Sequence, residues 1–227
     1  MKVTKLLDAA SGVGYGSNFL ANNQTLDIKS VDRSTEALQI AKNIFSKSNI
    51  LFFEDDCHTL KNASEFAPYD CIVSFETLEH LPDPSSFIKS CFNNLRKGGA
   101  LIVSTPNQPV SSPSGVVNWE FHEKEYSVLE LHELLISEGF SNIEIYGQKY
   151  TSIGKLRSQF RAELNIINSS PFIRLGRSIQ KYFRRHSFHA LLPEQAEDFE
   201  IINYKMGDEK INDKEHGPFV LIAVCTK

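Results

Sequence analysis

The sequence predicts an α/β protein: a doubly wound, mostly parallel sheet of seven strands with helices on both faces and a basic helical insertion before the last strand. Three observations predict it. Short apolar runs alternate with helical patterns along the chain. The first run, Leu6-Leu7-Asp8-Ala9-Ala10, leads into the turn Ser11-Gly12-Val13-Gly14-Tyr15-Gly16 and then a helix. The acids and histidines that stand out each follow an apolar run, and doubly wound sheets bind ligands at the C-terminal ends of their strands.

Taken in order, Val3 to Leu7 reads as strand one and Ser17 to Asn22 as its helix. Asp27 to Val31 is strand two. Thr35 to Phe45 is a helix whose Leu38, Ile40, Ala41, Ile44 and Phe45 fall mostly on one side. Ile50 to Phe53 is strand three. Tyr69 to Phe75 is strand four, followed by a helix over Ser85 to Leu95. Lys97-Gly98-Gly99 turns the chain into strand five, Ala100 to Ser104. A helix over Leu129 to Ser137 stops at Gly139, and Phe140 to Tyr146 and Phe219 to Cys225 are the last two strands. This divides the chain into a core over 1–150, an insertion over 151–195 and a closing segment over 196–227.

The 227 residues, 41% of them hydrophobic, suffice for one domain with a sizeable core and an appendage. No apolar run approaches the roughly 20 residues of a membrane span. The first residues run straight into a strand, which predicts no signal peptide. The four cysteines are scattered without a C-x-x-C spacing or paired histidines, so neither a metal site nor a disulfide framework is expected. Reduced thiols fit a cytoplasmic protein.

Glycines at a strand-to-helix turn let the backbone approach a ligand and leave helix N–H groups free to face it. A dinucleotide site wants G-x-G-x-x-G. Here the spacing is Gly12-x-Gly14-x-Gly16, with Asp8 four residues before the first glycine. That form resembles motif I of the class I S-adenosylmethionine (SAM) dependent methyltransferases, D-x-x-x-G-x-G, with Ala10-Ser11 where Gly-Cys is common. Five further segments resemble the same family in the same order. Asp32 ends strand two, Asp55 and Asp56 follow strand three, and Glu79-His80-Leu81-Pro82-Asp83 follows strand four. Leu95-Arg96-Lys97-Gly98-Gly99 stands where the family has L-K-P-G-G. His122-Glu123-Lys124-Glu125-Tyr126-Ser127 is similar to a segment of the members acting on sugars, quinones and other small metabolites, carrying methyltransferase domains of type 11 or 23. The resemblance covers about residues 3–146 and the closing strand, and it implies a Rossmann-like fold.

The resemblance implies SAM as cofactor. Asp8, Ala10, Gly12 and Gly14 would form its loop, with Tyr15 packed over it. Asp32 and Arg33 would meet the ribose, Asp56 and Cys57 the adenine, and Phe75 the pocket at the end of strand four. Family members usually carry a helix ahead of strand one; none is seen here, which predicts a more open pocket. The methyl group of a sulfonium is attacked in line, so the protein mainly positions the nucleophile and excludes water. A hydroxyl nucleophile must also lose a proton, and His80 and His122 are the candidate bases. The segment Phe75-Glu76-Thr77-Leu78 lacks the N-P-P-Y pattern of exocyclic-amine methylation, which favours an oxygen acceptor. The function expected is methyl transfer to a small metabolite or glycan; an RNA methyltransferase and a SAM-binding domain without catalysis are the alternatives. An NAD-dependent oxidoreductase is disfavoured by the glycine spacing.

Residues Thr151 to Ala190 hold eight basic residues and one acid, a charge of +7 that leaves −11 for the rest of the chain. Phe172, Leu175, Ile179, Tyr182 and Phe183 fall near one side of a helical pattern. Such a helix can close over a phosphorylated or lipid-linked acceptor, or lie through 171–186 on the inner face of an anionic membrane. The acidity elsewhere argues against nucleic acid as partner.

Overall fold

The computed structural model describes residues 2–117, 119–152, 154–156, 158, 196–214 and 216–227. The basic pattern over 171–186 lies outside the described residues. The chain divides into two compact units, one formed by Met1–Gly147 with Asn203–Lys227, the other by Gln148–Ile202.

The strands are β1 (Lys5–Ala9), β2 (Asp27–Asp32), β3 (Ile50–Glu54), β4 (Tyr69–Ser74), β5 (Leu95–Pro106), β6 (Ser141–Tyr150), β7 (Phe199–Tyr204) and β8 (Val220–Thr226). They form one sheet of order β3-β2-β1-β4-β5-β8-β6-β7. β1 pairs in parallel with β2 and β4, β2 with β3, and β4 with β5. β8 runs antiparallel to β5, matching Ala100 with Thr226 and Pro106 with Val220. The strand order reverses beside β1, so a crevice opens at the C-terminal ends of β1 and β4.

The main helices are α1 (Tyr15–Leu20), α2 (Thr35–Ile44), α3 (Pro84–Asn94), α4 (Gln108–Ser111) and α5 (Val128–Ser137), and the described residues 152, 154–156 and 158 are helical as well. Their starts are written locally. Ser34 accepts from the Ala37 N–H at 3.2 Å to cap α2. Asp83 caps α3 ahead of Pro84, and Ser127 and Glu130 form a capping box on α5.

The central strands are buried because both faces are covered. Leu7, Ile28, Ile72 and Leu101 are fully inaccessible, which explains why these segments read as continuous apolar runs. At about 25 cal/mol per Å² such burial dominates the stability of the sheet.

The sheet has eight strands, not seven. The extra strand, β7, stands last in the strand order, and only Tyr204 of its six residues is buried. A strand so exposed carries no apolar run to betray it. β5 also begins earlier than expected, at Leu95, which pairs with Tyr69 across a register irregularity. In the second unit, the Thr151 N–H donates to the Asp198 carbonyl at 2.9 Å, and the Tyr150 and Phe199 rings lie 5.0 Å apart. All four cysteines are free thiols, and no helix among the described residues is long and apolar enough to cross a membrane.

Candidate active site

The glycine turn is built by three left-handed residues in five: Ala10 (φ 63°), Gly12 (φ 55°) and Gly14 (φ 80°). For Ala10 that conformation costs about 1–2 kcal/mol. The Ser11 N–H donates to the Val31 carbonyl at 2.9 Å, and the Gly14 N–H to the Ser11 carbonyl at 3.0 Å. The two leading glycines serve different ends. A Cβ on Gly14 would lie 2.7 Å from the Phe52 ring and 2.9 Å from the Ala41 methyl, so this glycine lets α1 and α2 close on the sheet. A Cβ on Gly12 would meet nothing within 4 Å, so this glycine faces open space.

Asp32 fixes the loop from the neighbouring strand. Its Oδ2 accepts from the Gly12 N–H at 2.7 Å and its Oδ1 from the Ser34 N–H at 2.8 Å. Asp55 and Asp56 divide their labour. Asp55 is buried and accepts from the Asp56 and Ala63 N–H groups at 2.9 and 2.7 Å, which shapes the loop after β3. Asp56 is exposed and accepts from the His58 N–H and Nδ1 at 2.8 and 2.9 Å, contacts that hold its carboxyl below the usual range.

A cavity of about 350 Å³ opens between these loops, lined by Ala10, Asp32, Arg33, Asp56, Cys57, His58, Glu76, Thr77, His80 and Leu81. Six residues singled out in the sequence therefore line one cavity: Ala10, Asp32, Arg33, Asp56, Cys57 and His80. Burial, and then the charges of Asp32 and Asp56, push the Cys57 thiol up to about 12, which leaves it protonated and inert.

Asp8, Gly12, Gly14, Tyr15, Phe75 and His122 do not line it. Gly12 and Gly14 form the backbone of the turn behind it. Asp8 is buried, and its Oδ2 accepts from the Ser17 hydroxyl at 2.5 Å, which ties α1 to β1. Burial raises its carboxyl to about 6. Tyr15 is 73% exposed, and Phe75 is half-exposed at the end of β4.

The far end of the cavity is made by the turn after β4, and the loop before α5 is bonded to that turn. Glu76 sits in the left-handed region (φ 50°), and its Oε1 accepts from the Ser104 hydroxyl at 2.5 Å. Glu79 is buried; its Oε2 accepts from Thr105 at 3.0 Å, and its carbonyl accepts from the Glu123 N–H at 2.6 Å. Burial and then the charge of Glu76 raise its carboxyl to about 7. That backbone bond brings the two loops together. The His80 and His122 rings meet edge to face at 4.9 Å, 42 residues apart in sequence.

Each imidazole is held by its Nδ1. His80 donates to the Phe121 carbonyl at 2.7 Å and His122 to Glu125 Oε1 at 3.0 Å. Glu125 is buried, which alone would raise its carboxyl. Hydrogen bonds from Ser111 and His122 hold it below the ordinary value instead, so it stays ionised and fixes the His122 tautomer. His58 was not read from the sequence, and Glu76, Thr77, Leu81 and Glu125 were read only as members of longer segments, with no site role. The signal for Glu125 was present, three residues after His122. The other four follow strands three and four at positions the alternating pattern does not single out.

A parallel crevice flanked by a glycine turn and strand-end acids defines a class of nucleotide-type ligand sites. Within that class, residues 2–145 match the model of the methyltransferase domain family, and the chain belongs to that family. A Mycobacterium tuberculosis protein named "Probable S-adenosylmethionine-dependent methyltransferase" is 31% identical over 144 residues, 63% of this chain and 50% of that protein. The ubiquinone biosynthesis O-methyltransferase of Psychrobacter arcticus is 28% identical over 166 residues, 66% of this chain and 64% of its own length. The chain thus spans about half the length of the mycobacterial relatives it matches. A SAM-dependent methyltransferase from Archaeoglobus fulgidus has the same fold, with TM-score 0.60, 14% identity and coverage of 99% of this chain and 86% of that one. So does the phosphoethanolamine N-methyltransferase 2 of Haemonchus contortus in complex with SAM, with TM-score 0.58, 15% identity and coverage of 100% and 49%.

Proposed function

We propose that this chain is a SAM-dependent methyltransferase that transfers the methyl group to a hydroxyl oxygen of a small metabolite or glycan. One observation carries the reading: a glycine-turn cavity of about 350 Å³ is lined at one end by His80, whose ring adjoins that of His122, and the Nδ1 atoms of both rings are held by acceptors. The cavity residues suit SAM. Gly12 faces open space, and the buried Ser11 hydroxyl beside it lacks a hydrogen-bond partner. Asp32 would accept from ribose hydroxyls, with Arg33 beside it, and Asp56 would accept from the adenine amino group while Cys57 packs on the ring. When bound, SAM supplies an electrophilic methyl group on a sulfonium.

The chain's own residues would do the rest. With Nδ1 occupied, Nε2 of His80 or His122 is the free ring nitrogen, able to take the proton of an acceptor hydroxyl. Glu125 would stabilise the imidazolium formed on His122. The relative named for ubiquinone O-methylation supports an oxygen acceptor. The core over 1–150, closed by 196–227, would hold this chemistry.

The test is turnover. Incubated with SAM and a panel of phenolic, sugar and amine acceptors, the protein should form S-adenosylhomocysteine with hydroxyl acceptors. Turnover confined to amines would overturn the oxygen assignment.

A further inference from the structure

A second imidazole lines the cavity besides that of His80: His58, next to Asp56 and Cys57. The loop after β3 brings it against Asp56. Asp56 Oδ1 accepts from the His58 backbone N–H at 2.8 Å and from the His58 ring Nδ1 at 2.9 Å. An ionised carboxylate can only accept, so Nδ1 carries the proton and the ring donates to Asp56. The His58 backbone is itself pinned to α3, where the Ser90 hydroxyl donates to its carbonyl at 2.7 Å.

Both bonds fall on one carboxylate oxygen. Asp56 is exposed, and the terminal torsion of an unheld aspartate is broad. Two donors on Oδ1 remove that freedom. Oδ2 then has no partner among the described residues, and it is the free acceptor of a side chain that lines the cavity. The backbone bond and then the ring bond hold the carboxyl below its usual range, so Oδ2 stays ionised at neutral pH. An oxygen that only accepts distinguishes a ring amino group, which donates, from a ring carbonyl, which does not.

We propose that His58 is a positioning residue for the base of the cofactor: it fixes the Asp56 carboxylate so that Oδ2 reads the exocyclic amino group of a purine, which makes the site select adenine over hypoxanthine. This rests on the methyltransferase reading, with SAM as cofactor, and deepens it. His58 acts through Asp56, so removing its ring weakens recognition of the base and leaves the acceptor end as it is. The His58→Ala variant keeps the backbone N–H bond and the Ser90 bond, so it isolates the contribution of the ring. Asparagine offers a side-chain N–H in place of Nδ1, so His58→Asn is the conservative variant.

The experiment is calorimetric titration of the full chain with S-adenosylhomocysteine and with S-inosylhomocysteine, in which a carbonyl replaces the amino group of the base. The wild type should bind the adenosyl compound about 10–100-fold more tightly, the worth of one hydrogen bond to a charged group. His58→Ala should cut that preference by about 3–10-fold, chiefly through weaker binding of the adenosyl compound, and His58→Asn should restore most of it. The same preference in wild type and His58→Ala would overturn the assignment and leave the cofactor reading intact. So would equal binding of the two compounds by the wild type. A preference lost alike in His58→Ala and His58→Asn would mark a packing role for the ring and overturn the positioning role. Failure of the wild type to bind either compound would overturn the cofactor reading, and the role of His58 with it.

Discussion

The two ends of the cavity are built on different principles. At the glycine turn the backbone does the work: three left-handed residues and one carboxylate, Asp32, fix the loop through main-chain N–H groups. At the far end the side chains do it: Glu79, His80, His122 and Glu125 come from two segments joined by a bond from the Glu123 N–H to the Glu79 carbonyl. The first end is rigid by geometry and suits a constant ligand. The second depends on a loop contact and suits the part of the site that distinguishes acceptors.

The largest expected break is at the far end. His122→Ala should lower kcat by about 10²–10⁴-fold, with SAM affinity unchanged, as read by steady-state kinetics beside calorimetry. Glu125→Gln should cost less, because it disturbs the orientation of His122 and leaves the ring in place. If both left kcat unchanged, the far end would have no part in the reaction.

Gly14→Ala comes next and strikes the fold. A Cβ there meets Phe52 at 2.7 Å in a left-handed backbone, so a loss of about 2–4 kcal/mol in urea denaturation is expected. Gly12→Ala has open space before it, so it should lose only the backbone term of about 1 kcal/mol while impairing SAM binding. Equal destabilisation by the two would erase the distinction drawn between them.

The glycine turn was legible because its constraints are local. Positive φ and close approach leave glycine as the only residue that fits at position 14, and an acid at the end of a strand is visible in one window of sequence. The far end was legible only as two separate fragments. That His80 and His122 touch, and that Glu79 lies buried behind them, depends on a tertiary backbone bond with no sequence signature. Asp8 shows what the motif alone does not convey. Its place in motif I suggests a part in the cofactor loop, and the structure adds that its carboxyl accepts from Ser17 beneath the helix. β7 escaped because five of its six residues lie at least partly exposed.

The smallest effect sharpens the reading of Asp8. Its carboxyl is raised by burial from 3.8 to about 6, so between those values the unfolded chain ionises while the folded one does not. Stability relative to Asp8→Asn should therefore fall as pH rises from about 4 to 6 and level off above, by at most about 3 kcal/mol. Thermal melts of both proteins across that range would read it; parallel curves would mean that Asp8 titrates normally.

The central claim, that the two ends hold different ligands, is tested most directly by calorimetric titration with SAM. Wild type, Asp32→Ala and His122→Ala should be compared. We expect one SAM site in the wild type, lost in Asp32→Ala and retained in His122→Ala. No SAM binding by the wild type, or equal loss in both variants, would contradict the account.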